Sequence, residues 1–234
     1  VSSSVEKKKM NKVSTLNEAM LHIDDRCTLM FGGFGGVGNP PLLIKGIMEK
    51  GVSELTLIGN DSAFPEIGIG RVVSQGRVKK LIASHIGSNP IAGKLMTEGK
   101  LEVEFSPQGI LAERIRAGGM GLGGILSDVG VGTMIEQGKQ KIHVDGKDYL
   151  LETPLIADVS IIYAKKGDPF GNLIYDKSER NTNPLVAMAG NFTIAEVEEI
   201  VPVGELDPEA IITPGIHVDM VIQSEGVDWT WAWE

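Results

Sequence analysis

The glycines of this chain gather where short apolar runs end, and that placement restricts the fold more than any other feature. There are 30 of them in 234 residues, close to twice the ~7% of an ordinary chain, and they follow no three-residue period, which excludes collagen. Cys27–Phe31 (CTLMF) is a continuous apolar run of the kind that forms a buried strand. Gly32-Gly33-Phe34-Gly35-Gly36-Val37-Gly38 follows. Asn39 and Pro40-Pro41 then supply a helix cap and first turn. Leu42, Leu43, Ile44, Ile47 and Met48 give a helix with a broad apolar face that Gly51 ends. Glu54–Ile58 (ELTLI) reads as the next strand, so 27–58 is one strand–turn–helix–strand unit.

The unit repeats in outline. Lys80–Ala83 is a strand, Asn89-Pro90 opens a helix to about Glu98, and Leu101–Phe105 returns as a strand before a helix over 110–117. AGGMGLGGI at 117–125 does not suit a helix interior. A turn at Val129–Gly132 and a short helix near Thr133–Gln137 follow. Lys141–Glu152 carries Asp145-Gly146 between alternating segments, a strong hairpin signal. Asp158–Ala164 is a further core strand, and Asn172–Tyr175 pairs locally. Asn183–Ala189 is a helix candidate. Thr193–Val201 alternates partly, as an edge strand does, and Ile211-Ile212 with Val218–Ile222 close the fold. The expected class is α/β: an open, mainly parallel sheet with flanking helices, glycine-rich loops and a small hairpin-bearing edge region. No polar linker divides the chain, so 10–226 is read as one domain. Residues 1–9, polar and basic, lie outside it with Met10 as the natural start. The tail 227–234 holds Trp229, Trp231 and Trp233 and reads either as packing on the body or as an oligomer contact.

Composition narrows the function. Twenty-two Lys and Arg against 31 Asp and Glu give a net charge of −9, which argues against nucleic acid or an anionic membrane surface as partner. One cysteine, Cys27, excludes an intrachain disulfide framework and a Cys-rich metal site. It reads as a small buried hydrophobe. The four histidines, His22, His85, His143 and His217, are far apart and accompany no metal motif, so no metal is expected. His22 belongs to an amphipathic helix over 16–22, and His143 faces outward from the hairpin. His85 alone lies near a crevice. No export signal or spanning segment is visible, so cytoplasmic is the default.

The candidate sites lie after strands. The loop 32–38 can crowd backbone N–H groups at the mouth of the following helix, a cradle for phosphate or a developing oxyanion. The same glycines also serve close helix–strand packing, and the loop fits neither a P-loop nor a convincing dinucleotide fingerprint. Asn60 and Asp61 follow the next strand, at the end where α/β sheets place ligands. Gln108 follows LEVEF in the same way, and 117–124 is a second close-approach loop. Glu113, Arg114 and Arg116 read as solvated charges or subunit contacts. No serine nucleophile elbow is present. The residues thus make a cradle for an anionic ligand without a self-contained nucleophile, base or metal.

Taken in order, GGFGGVGNP at 32–40, GVSELTLIGND at 51–61, ASHIG at 83–87, EVEFSPQGILAERIRAGGMGLGG at 102–124, GVGT at 130–133, GNLIYDKSERN at 171–181 and ITPGIHVD at 212–219 resemble the alpha subunit of the class I coenzyme A transferases, in the acetoacetate and short-chain fatty acid group. The match runs from Met10 to about Glu225. It implies transfer of coenzyme A from an acyl-CoA to a carboxylate, with the CoA thioester as substrate and no tightly bound cofactor. It also implies a beta subunit bearing the attacking glutamate; between an αβ and an α2β2 assembly, closed symmetry favours the latter. By resemblance, Gly32, Gly33, Phe34, Gly35, Gly36, Val37 and Gly38 are the CoA-associated loop. Asn60 is the oxyanion-hole amide, and Gln108 lies near the substrate carboxylate or acyl group. Ser224-Glu225-Gly226 only superficially resembles the nucleophile's setting. Asp25-Arg26 replaces the Asp-Gly of many relatives. The alternatives are a succinyl-CoA/3-oxoacid or 3-oxoadipate transferase alpha subunit, a CoA-binding protein without turnover, and a self-contained homomeric enzyme.

Overall fold

The computed structural model describes residues 11–226; the predicted segment 1–9 and the tryptophan tail lie outside them. Twelve strands are described. β1 (Val13–Ser14), β2 (Thr28–Phe31), β3 (Leu55–Ile58), β4 (Val78–Ala83), β5 (Glu102–Phe105), β9 (Ala157–Gly167), β11 (Gly190–Ile200) and β12 (Met220–Gln223) form one sheet in the order β1-β12-β11-β9-β2-β3-β4-β5. Every pair along that path is parallel. β10 (Leu173–Ile174) adds an antiparallel pair to β9. β6 (Ile125–Ser127), β7 (Lys141–Val144) and β8 (Lys147–Glu152) form a separate antiparallel sheet in the order β6-β8-β7. The expected architecture is present, and the Asp145-Gly146 hairpin is β7–β8.

Strand order explains where a ligand can enter. From β2 the chain winds outward through β3, β4 and β5, whereas from β9 it winds the other way through β11 and β12. The loops leaving β2 and β9 therefore part company at their carboxyl ends, and that divergence opens a crevice.

Helices cover both faces. α1 (Leu16–Met20), α2 (Pro41–Lys50), α3 (Gly70–Ser74) and α4 (Pro90–Thr97) are described before β5. α5 (Gln108–Gly119) follows it, and α6 (Asn183–Met188) precedes β11. Alternate residues of one strand feed two cores: Leu29 and Phe31 pack with Leu43 and Ile47 of α2, while Met30 packs with Leu111 and Ile115 of α5. A strand buried on both faces shows no polar alternation.

Four expectations change. Thr193–Val201 is not an edge: β11 lies between β9 and β12. Of its polar positions, Glu196 is a buried carboxylate turned inward, while Glu198 and Glu199 near the strand's end pair with Lys165 and Lys166. Ile211-Ile212 lies outside the strands. The helix read over 110–117 runs from Gln108 to Gly119, so two glycines do belong to its last turn. A Cβ on Gly118 would sit 2.0 Å from the Leu155 carbonyl oxygen; the missing side chain lets the helix approach that backbone. Finally, α1 ends at Met20, and His22 beyond it stacks on Phe192 with ring centroids 3.9 Å apart.

Candidate functional site

The loop after β2 is held from many sides. Phe34 and Val37 exchange both backbone hydrogen bonds (2.9 and 3.0 Å) around Gly35-Gly36. These two glycines have φ of +58° and +100°, the geometry of a tight two-residue turn that residues with a Cβ resist. Three asparagines clamp the flanks. Asn39 Nδ2 donates to Gly32 O at 2.6 Å, and its Oδ1 accepts from Ile69 N. Asn181 Oδ1 accepts from Gly33 N at 3.1 Å, and its Nδ2 donates to Val37 O. Asn183 Nδ2 donates to Gly38 O at 3.0 Å.

These contacts revise two expectations. Asn39 does not cap α2, because the N-cap position is Pro40 and Asn39 faces the loop instead. The N–H groups at the helix mouth are not open to a ligand either. Leu42 N and Leu43 N donate to Glu196 Oε2 at 2.8 and 3.1 Å. The buried carboxylate of β11 thus takes the place of an anionic ligand at that helix terminus. Within the loop, the N–H groups of Gly32, Gly33, Phe34, Gly35 and Val37 are engaged inside the protein.

The two predicted amides meet. Asn60 follows β3 and is buried, and Gln108 opens α5 after β5. Gln108 Nε2 donates to Asn60 Oδ1 at 2.8 Å. Ser84, after β4, donates through Oγ to Asn60 O at 2.7 Å, with Oδ1 3.2 Å away. Asn60 Nδ2 donates to Asp61 Oδ2 at 2.7 Å. Three neighbouring strand ends therefore converge on one side chain, which is what a parallel sheet does with the residues just past its carboxyl edge.

Beside this pair lies a cleft of about 190 Å³. Phe34 of the glycine loop, Asn181 and Thr182 form one wall. Gln108, Leu111, Ala112 and Ile115 of α5 form the other, with Asn60 between. The cleft is apolar apart from its amides and one hydroxyl. None of its lining residues is a carboxylate, thiol, imidazole or cation. A larger cavity of about 560 Å³ separates the small sheet from β5. Its charged side chains are paired with one another, Arg114 with Glu104 and Lys139 with Glu152.

The remaining candidates stand apart. His85 is exposed and is not among the cleft's lining residues. His143 points outward and pairs with Asp148. Cys27 is buried, and desolvation pushes its thiol up to about 11, so it is a poor nucleophile. Ser224 Oγ donates to Glu196 Oε1 at 2.6 Å, and Glu225 pairs with Lys45 at the surface, so neither lines the cleft. Glu113 and Arg116 reach solvent, as expected of solvated charges, and pair with each other. Arg114 does not: it is buried, donating to Thr153 O and pairing with Glu104. The loop 117–124 begins near the far end of α5, nine residues or roughly 13 Å from Gln108. Its first glycines pack on Leu155 and Met188. Among the described residues no group of three or more His, Cys, Asp or Glu comes together to hold a metal, and no helix is long and apolar enough to cross a membrane.

The residues missed in the sequence are Asn181 and Asn183. Only the tight NxN spacing before Pro184 marks them, and nothing local says that both side chains turn to a loop more than 140 positions away.

Comparison with known proteins agrees with this geometry. The family description "Coenzyme A transferase" matches residues 13–224. A Bacillus subtilis (strain 168) protein described as "Probable coenzyme A transferase subunit alpha" is 58% identical over 224 residues, covering 95% of this chain and 98% of its own. The "Acetate CoA-transferase subunit alpha" of Escherichia coli (strain K12) is 50% identical over 214 residues, covering 92% of this chain and 97% of its own. Among solved structures, an acyl-CoA transferase from E. coli O157:H7, in a thioester complex with CoA, superposes with a TM-score of 0.87 at 25% identity. That match covers 96% of this chain and 49% of the other, so the present chain spans about half the length of that protein. The chain belongs to the coenzyme A transferase family, as an alpha subunit of its class I.

Proposed function

We propose that this chain is the alpha subunit of a heteromeric enzyme that moves coenzyme A between a short-chain acyl-CoA, butyryl-CoA or acetyl-CoA, and a carboxylate such as acetoacetate. It assembles as α2β2 with a beta subunit that carries the attacking glutamate. The observation behind this reading is the hydrogen-bonded Asn60–Gln108 pair at the edge of an apolar cleft that lacks any nucleophile of its own. A carboxylate is a weak nucleophile in water; it becomes competent when placed against the thioester and when the resulting oxyanion meets fixed donors.

In this mechanism the partner's glutamate adds to the thioester carbonyl, and an Asn60 N–H receives the oxyanion. Collapse breaks the C–S bond, giving an acyl-glutamyl anhydride and CoA thiolate. The thiolate attacks the glutamyl carbonyl and releases the first carboxylate. The second carboxylate reverses the sequence on the glutamyl-CoA thioester. One thioester replaces another, so no ATP is needed. The apolar walls keep water from the intermediates.

The succinyl-CoA/3-oxoacid and 3-oxoadipate readings differ by a second carboxylate on the acyl group. The cleft walls on this chain offer no cation to receive it, which favours the monocarboxylate substrates. The test is exchange between butyryl-CoA and acetate or acetoacetate without ATP, for this chain alone and mixed with its beta subunit. Turnover only in the mixture is expected. Turnover by the isolated chain would place a nucleophile here, and none in either across a broad acid panel would leave a CoA-binding protein.

A further inference from the structure

Asp61 is buried to within 2% of its surface, yet no lysine or arginine answers it. Three N–H donors surround it instead. Asn60 Nδ2 and Gly35 N donate to Oδ2 at 2.7 and 2.9 Å, and Ala63 N donates to Oδ1 at 2.7 Å. Ala63 itself sits at φ +48°, a costly conformation for a residue with a Cβ, which brings its N–H to the carboxylate. The arrangement gives each oxygen of Asp61 only donors to meet.

A side-chain amide has a donor end and an acceptor end, and the two are nearly equal in shape. Asn60 therefore has two orientations of similar fit, and its neighbours must choose between them. Ser84 does not choose, because a hydroxyl can turn to donate or accept. Gln108 does not choose alone, because it is exposed and its own amide can reverse. Asp61 does choose: facing it, only the Nδ2 end of Asn60 makes a hydrogen bond. Oδ1 then points to Gln108 Nε2, and the polarity of the whole Asp61–Asn60–Gln108 chain follows.

We infer that Asp61 is a positioning residue for the transfer reaction: it sets the direction of the Asn60 amide so that an N–H, and not the carbonyl oxygen, is presented to the developing oxyanion, and through Gly35 it ties that amide to the glycine loop. The inference rests on the proposed role of Asn60. The substitution Asp61→Asn reverses the logic at constant shape. If its oxygen stays toward Ala63 N, its NH2 faces Asn60, which must turn its own oxygen to meet it, and Gln108 must reverse in turn.

The test is a double-mutant cycle on the reconstituted complex with the beta subunit, following butyryl-CoA and acetate exchange. Asn60→Ala is expected to lower kcat by about 10²- to 10³-fold, as removal of an oxyanion donor does. Asp61→Asn is expected to lower kcat by about ten- to a hundred-fold, with KM for acyl-CoA nearly unchanged. In the Asn60→Ala background, Asp61→Asn should change kcat by less than about twofold, because the group it acts through is gone. A full further loss in that background, or no loss in the wild-type background, overturns the inference. If Asn60→Ala itself leaves turnover unchanged, the reading on which the inference rests fails, and that is visible on its own. Should Asp61→Asn fail to assemble, the wild-type complex decides: one proton of the Asn60 amide, assigned by its loss in Asn60→Ala, should exchange with solvent far more slowly than a free side-chain amide. Fast exchange of both protons would sink the idea.

Discussion

At the scale of one residue, Glu196 shows how a buried charge can organise a site without taking part in it. Its carboxylate accepts from Leu42 N, Leu43 N and Ser224 Oγ, joining α2, β11 and the end of β12. Burial pushes its pKa from 4.5 up to about 7, against the pull of the Ser224 hydroxyl and the two N–H groups. The folded value exceeds the unfolded one. Its stabilising contribution is therefore complete below pH 4.5 and is lost as pH rises through 7. The shift corresponds to about 3 kcal/mol across that window. Glu196→Gln keeps an oxygen for the two N–H donors and an NH2 for Ser224. We expect it to fold and to remove most of this pH dependence, measured as urea unfolding free energies at pH 5 and pH 8. An unchanged slope would mean that another group carries it. That a glutamate would be pulled inside was not legible in TIAEVEEIV, since the two N–H groups it meets, Leu42 N and Leu43 N, lie more than 150 residues earlier.

At the scale of one element, α5 carries both the site and a packing constraint. Gln108, Leu111, Ala112 and Ile115 are spaced i, i+3, i+4, i+7, one stripe of a helix, and that stripe is the cleft wall. Leu111 and Ile115 are buried, and Ala112 is the small residue between the amide and the deeper wall. In the proposed reaction the acyl chain occupies this cleft beside Ala112. Ala112→Leu adds three carbons there. Its kcat/KM for butyryl-CoA should fall at least tenfold relative to that for acetyl-CoA, the scale of discrimination a few carbons produce in an apolar pocket. Equal losses for both would place the acyl chain elsewhere. The stripe was readable from spacing once a helix was assumed. Its length was not, because Gly118 and Gly119 lower helix propensity while the close approach to Leu155 and Met188 keeps them helical.

At the scale of the whole molecule, the small sheet must be fastened to the large one, and Arg114 does much of this. From α5 it pairs with Glu104 on β5 at 3.0 Å and donates to Thr153 O at 2.9 Å, just past β8. Its side chain is 7% exposed and that of Glu104 35%. A cut in this contact leaves the Glu104 carboxylate to Lys80 alone and the Thr153 carbonyl unmet. Arg114→Met keeps the apolar stem and should destabilise the chain by about 1–3 kcal/mol, discounted from a fully buried pair because Glu104 reaches solvent. Chemical denaturation followed by tyrosine and tryptophan fluorescence measures it. A neutral result would mean that contacts other than this one make the attachment.

The local units are written in the residue order: where strands end in glycine, where Asp145-Gly146 turns a hairpin, and that Asn60 and Gln108 each follow a strand. These depend on backbone freedom and on periodicity, which act over a few residues. Long-range packing sets the rest: that β11 is central, that Asn60 and Gln108 touch, that Asn181 and Asn183 brace the glycine loop, and that Glu196 fills the helix mouth. Each of those is a hydrogen bond or a ladder between residues far apart in the chain. Its partner is chosen by the order in which the strands lie side by side, and no local pattern encodes that order.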